Sequence, residues 1–131
     1  MMVGVDTFAV DETREGRRMP VSYPNQNSFN GFPRFLRRAV RETQTLTLEA
    51  AVRQITSFPA RKFKLKNRGV LKHGACADIV VMNAETVKDV GTQLEPRLYP
   101  DGIEHVIING VQVVKNSKHT GALPGKILYR E

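Results

Sequence analysis

The sequence predicts a mixed fold in which helices come first and strands follow, the order of an α+β domain or of pieces of two domains. Two observations carry this. The apolar period is helical up to Gly69 and strand-like after it. A short apolar run at the front, Val3-Gly4-Val5-Asp6, has no second strand near it in sequence. Three or four short strands do not close a sheet with both edges protected, so the pattern predicts the end of something larger.

In chain order, residues 3–6 are a very short candidate strand. Residues 11–31 hold few aliphatics and many turn formers (Gly16, Pro20, Pro24, Asn25, Asn27, Asn30, Gly31), which predicts a loop of about 20 residues, a length usually kept for function. Residues 32–42 read as a helix with Pro33 in its first turn, where a missing N–H costs nothing. Phe32, Phe35, Leu36, Ala39 and Val40 share its apolar face, and Arg34, Arg37, Arg38 and Arg41 gather on the other. Residues 48–57 predict a second helix, capped by Thr47, with Glu49 in the first turn and Leu48, Ala51, Val52 and Ile55 as its buried stripe. A third short helix follows over 57–63, with Ser57 as cap and Pro59 in its first turn.

Asn67-Arg68-Gly69 is a turn and Val70-Leu71 a candidate short strand. Residues 78–82 are a strong strand, rich in β-branched side chains. Residues 103–108 and 111–114 flank Asn109-Gly110, the signature of a type I′ hairpin, in which both turn positions need positive φ. Residues 84–101 are irregular, and the tail from Thr120 is extended or turned.

Composition bounds the function. With 40% hydrophobic and 25% charged residues the chain is globular rather than disordered. No apolar run is long enough to span a membrane, and no basic-then-apolar leader stands at the front, so neither membrane nor secretion is expected. The single cysteine, Cys76, rules out an internal disulfide and predicts a reducing compartment, the cytoplasm. It is expected to behave as a small buried hydrophobe. Three histidines (His73, His105, His119) are too few for a complete zinc site from this chain alone.

The net charge of +7 is concentrated in residues 14–72, which carry fourteen bases against three acids. A solvated helical surface is the plainest expectation for such a block. The alternative is a basic module for nucleic acid or another anionic partner, using Arg34, Arg37, Arg38, Arg41, Arg61, Lys62, Lys64 and Lys66. A third option is a basic face docked on an acidic part of a larger protein.

An ordered set of segments resembles the C-terminal end of the N-acyl-D-amino-acid deacylases (D-aminoacylases), of the metal-dependent amidohydrolase superfamily. The segments are Gly31-Phe32-Pro33-Arg34-Phe35-Leu36, Leu48-Glu49-Ala50-Ala51-Val52-Arg53 and Ile55-Thr56-Ser57-Phe58-Pro59-Ala60. Arg68-Gly69-Val70-Leu71, Ala77-Asp78-Ile79-Val80-Val81, Tyr99-Pro100-Asp101-Gly102-Ile103 and the pair Thr120-Gly121 with Pro124-Gly125 complete it. The resemblance implies an α/β fragment: the last strand and closing helices of a (β/α)8 barrel, then the C-terminal share of a small β-sandwich or β-barrel domain. Residues 1–68 would end the barrel and residues 69–131 would form the β-domain portion.

The implied chemistry is hydrolysis of the amide of an N-acyl-D-amino acid with zinc. Asp6 would contact the metal site and act as general base on the activated water. The chain differs from the family pattern around this residue, with Gly4-Val5-Asp6-Thr7 for Gly-Ser-Asp-Gly. Met19-Pro20-Val21 stands where His-Pro-Arg is usual, which leaves Arg17 or Arg18 as the candidate partner of the substrate carboxylate. The metal ligands would lie on barrel strands that this chain does not contain. The expectation is a fragment that is inactive alone and binds no zinc alone, its missing N-terminal barrel belonging to the same protein or to a partner chain completed in trans.

Overall fold

The computed structural model describes residues 2–6 and 25–129. Among them the order is α1 (Asn27–Leu36), a π-helical turn (Arg37–Glu42), α2 (Leu48–Ile55), α3 (Ser57–Lys62), β1 (Ile79–Met82), β2 (Ile103–Ile108), β3 (Val111–Lys115) and β4 (Lys118–His119). The four strands form one antiparallel meander in the order β1-β2-β3-β4. This is a small assembly of helices and one antiparallel sheet. No helix among the described residues is long and apolar enough to cross a membrane.

α1 begins five residues before the predicted start. Asn25 sets it: its Oδ1 accepts the Asn27 N–H at 2.9 Å and its carbonyl accepts the Ser28 N–H at 2.8 Å. Asn27, Asn30 and Gly31, expected in the long loop, are therefore helical, and Pro33 lies inside the helix rather than in its first turn. The rest of that loop, residues 11–24, lies outside the described residues. After Leu36 the helix widens, and the Thr43 N–H reaches back five residues to the Arg38 carbonyl.

α2 follows the prediction closely. Thr47 is its N-cap, its side chain accepting the Ala50 N–H at 3.2 Å, and Ala51 is fully buried. The N-cap position of α3 is Thr56 rather than Ser57, its first helical residue, and the Thr56 hydroxyl makes no capping bond, donating instead to the Val52 carbonyl at 2.7 Å.

Asn109 (φ 48°) and Gly110 (φ 81°) both have positive φ, as the I′ turn requires. Nothing lies within 4 Å of a Cβ added at Gly110, so glycine serves the backbone angle there and not the packing. Asn116 (φ 49°) and Ser117 (φ 62°) make a second tight turn into β4, which the sequence reading leaves within the tail. Val70 and Leu71 form no strand: both are exposed and no ladder partner reaches them, and two residues do not hold an extended pair alone. Residues 3–6 likewise carry no ladder bond among the described residues.

The core lies between the helices and the irregular segment before β2. Leu36, Ala51 and Val87 are its buried centre, with Phe35, Val40, Leu46, Ile55, Met82 and Ile103 packed around them. Val87, 1% exposed, comes from the stretch expected to be irregular. That stretch carries no long ladder, but Lys88 and Asp101 form an isolated antiparallel bridge that folds it onto α1.

Candidate functional site

Asp6 ends the described N-terminal segment, exposed and with φ at 45°. Such an angle turns the backbone sharply at a non-glycine residue, a conformation in which aspartate is one of the tolerated types. The segment lies against α1. A Cβ built on Gly31 would fall 2.7 Å from Val5 Cγ1, so helix and segment meet as closely as a bare glycine allows. Glycine in a helix interior costs about 0.5–1 kcal/mol against alanine.

α1 and the π-helical turn that continues it are held to residues 84–98 by three anchors. Asn30, fully buried, donates from Nδ2 to the Leu98 carbonyl (2.9 Å), and its Oδ1 accepts the Val90 N–H (3.0 Å). Asp89 receives Arg34 Nε on Oδ2 (2.9 Å) and Arg37 Nε on Oδ1 (2.6 Å). Arg41 donates to the Ala84 carbonyl (2.9 Å) and to that of Val87. Burial works to raise the Asp89 carboxyl, but hydrogen bonds from Arg37 and Arg34 outweigh it and bring its pKa down to about 2. Arg37 is raised in turn, chiefly by Asp89, with Glu42 adding to it.

These contacts correct the expectation of a solvated basic face at three of its residues. Arg34, Arg37 and Arg41, at helical spacing, are half-buried and turned onto residues 84–89 of the same chain. Arg38, Arg61, Lys62 and Lys64 are exposed. Arg68 pairs with Asp78 and donates to Asn109 Oδ1 at 2.6 Å. Asp78 also accepts the Asn109 N–H at 2.8 Å. Burial pushes its carboxyl up, and the Asn109 and Arg68 donors still hold it below the usual range. This cluster locks the hairpin turn onto the start of β1 and the Arg68 turn.

The three histidines stand on separate elements. His73 is in an exposed turn; His105, in β2, accepts the Asn116 N–H at Nδ1 (3.2 Å); His119, in β4, accepts the Gly121 N–H (3.0 Å). Cys76 is a free thiol and half-buried, less enclosed than expected. No group of three or more His, Cys, Asp or Glu side chains among the described residues could hold a metal ion. A zinc centre therefore does not fit these residues alone. Arg17 and Arg18 lie outside the described residues.

A groove of about 580 Å³ runs between α1, α2 and β1, lined mostly by apolar side chains that include Phe29, Phe32, Ile55, Val70, Ile79 and Val80. Asp6 is not among its lining residues, so the groove and the carboxylate are separate features. Sequence reasoning missed Asn30 and Asp89. Both lie in stretches rich in turn formers, and their partners are some 50 to 70 residues away, where no local pattern reaches.

Known proteins resemble this arrangement. Residues 16–114 match the model of the amidohydrolase family. The N-acyl-D-glutamate deacylase of Alcaligenes xylosoxydans xylosoxydans is 46% identical over 110 residues, 84% of this chain and 22% of that protein. The D-aminoacylase of the same organism is 33% identical over 129 residues, 98% of this chain and 25% of that protein. The crystal structure of N-acyl-D-glutamate deacylase from Bordetella bronchiseptica, complexed with zinc and a phosphonate mimic of the tetrahedral intermediate, superposes with a TM-score of 0.67 at 46% identity. That match covers 69% of this chain and 19% of the other. The chain thus spans about a fifth to a quarter of the length of the relatives it matches.

Proposed function

The chain belongs to the amidohydrolase family, and from that premise we propose that it supplies the C-terminal part of a hydrolase acting on the amide bond of N-acyl-D-amino acids. Residues 1–68 end the barrel, with 3–6 as its last strand, and residues 69–131 are the chain's share of the β-domain. The remaining barrel comes from the rest of the polypeptide or from a partner chain. The observation that carries this reading is the placement of Asp6. It is an exposed carboxylate at the end of a segment pressed on α1, in a chain 46% identical to an N-acyl-D-glutamate deacylase.

Asp6 is the group that takes the proton of the attacking water, and it returns that proton to the leaving amine nitrogen as the amide opens. Zinc in the whole enzyme would polarise the scissile carbonyl and acidify the water. No group of side chains among the described residues would hold that zinc, and in this reading turnover needs the rest of the barrel. Arg17 or Arg18 pairs with the substrate carboxylate in this reading.

The test is a chimera in which this chain replaces the matching C-terminal segment of the Alcaligenes N-acyl-D-glutamate deacylase. Release of D-glutamate from N-acetyl-D-glutamate is followed with zinc present. The chain alone is expected to give no turnover and the chimera to give it. Asp6→Asn in the chimera should lower kcat by about 10²–10⁴. A chimera whose turnover survives Asp6→Asn unchanged would remove Asp6 from the chemistry.

A further inference from the structure

Gly31 stands in the interior of α1, where its backbone is helical and no turn needs a glycine. Helix propensity alone would favour alanine there. What an alanine would meet is Val5: its Cβ would fall 2.7 Å from Val5 Cγ1 and 3.0 Å from Val5 Cβ. Carbon atoms rest at about 3.5–4.0 Å, so one side must retreat by roughly half an ångström to one ångström.

A rotamer change at Val5 does not relieve this. The Val5 Cβ is itself too close, and a β-branched side chain has few χ1 wells to move into. The helix is the side that cannot give. The residue before Gly31 is Asn30, buried and bonded to Leu98 and Val90, and Arg34 and Arg37 tie the same helix to Asp89. The displacement therefore falls on the backbone of residues 3–6, whose last member is Asp6.

We infer that Gly31 is a positioning residue for Asp6: its missing side chain lets the Val5 segment seat on an anchored helix and so sets where the Asp6 carboxylate stands. This rests on the reading of Asp6 as the proton acceptor of the whole enzyme. It adds a determinant on a different element, one that touches no substrate and acts through Val5.

The experiment has two arms. In the isotope-labelled full chain, Gly31→Ala is expected to move the Asp6 amide resonance while leaving that of Ala51, in α2, in place. In the chimera, Gly31→Ala should lower kcat by about 10- to 100-fold with KM changed less than about twofold, since roughly an ångström of misplacement costs that much. Adding Val5→Ala, which removes the 2.7 Å Cγ1 contact and leaves the 3.0 Å contact with Cβ, should recover part of the loss. An unmoved Asp6 resonance, an unchanged kcat, or a loss that Val5→Ala does not relieve overturns the inference. If Gly31→Ala does not fold, a folded and active double variant supports the clash, and a double variant equally unfolded overturns it. Retention of full turnover by Asp6→Asn defeats the catalytic reading instead, and the resonance arm still decides the contact.

Discussion

Replacing Asp89 with asparagine removes the charge that joins α1 to the segment before β2 while keeping the shape of the side chain. The magnitude follows from the carboxyl's own titration. Its pKa of about 2, against an ordinary 3.8, corresponds to about 2 kcal/mol of preference for the folded state at neutral pH. The side chain is 9% exposed, so solvent screens the pair weakly at this end. Both arginines are more than a quarter exposed and can rehydrate once released, which keeps the loss below that of breaking a fully buried pair. Because the folded pKa lies below the unfolded one, the unfolded chain binds more protons between them. The contribution is complete above about pH 5 and fades as pH falls through 3.8 toward 2. In urea, with a slope of roughly 1–2 kcal/mol/M for a chain of this size, Asp89→Asn should lower the midpoint by about 1–2 M at pH 7. The gap between variant and parent should shrink progressively below about pH 4. Equal midpoints at pH 7, or a gap that does not narrow on acidification, would refute the assignment of Asp89 as the charge that holds α1.

Three further outcomes are expected from the same unfolding assay. Asn30→Ala leaves the Val90 N–H and the Leu98 carbonyl without their side-chain partner in a fully buried site, and should cost about 2–3 kcal/mol. Asn30→Asp should not restore it, because the donor to Leu98 becomes an acceptor. Gly110→Ala meets no neighbouring atom, so its cost is that of a side chain at φ 81° alone, about 1–2 kcal/mol.

What was legible in the sequence was local. The Thr47 cap, the Ala51 stripe and the Asn109-Gly110 turn each depend on residues within a few positions of one another, and each is found as read. β1 needs only its run of β-branched residues, and the ordered family segments are a property of the sequence itself. The start of α1 was not legible. Asn27, Asn30 and Gly31 have the composition of a loop, and they are helical because Asn25 turns the chain into α1 and Asn30 finds buried partners near residue 90 and at residue 98. The same holds for Val70-Leu71, where a strand-like pair lacks a ladder neighbour.

By itself, then, the sequence determined the helical and strand periods, the Thr47 cap, the hairpin turn and the family, since all of these are written in short spacings. Only the tertiary structure decided that three arginines of the basic block grip residues 84–89 instead of facing solvent. It alone brought Gly31 against Val5, one residue from Asp6. Charge and glycine carry no partner in their own spelling; which side chain meets them depends on contacts that form across the chain when the helices and the sheet pack.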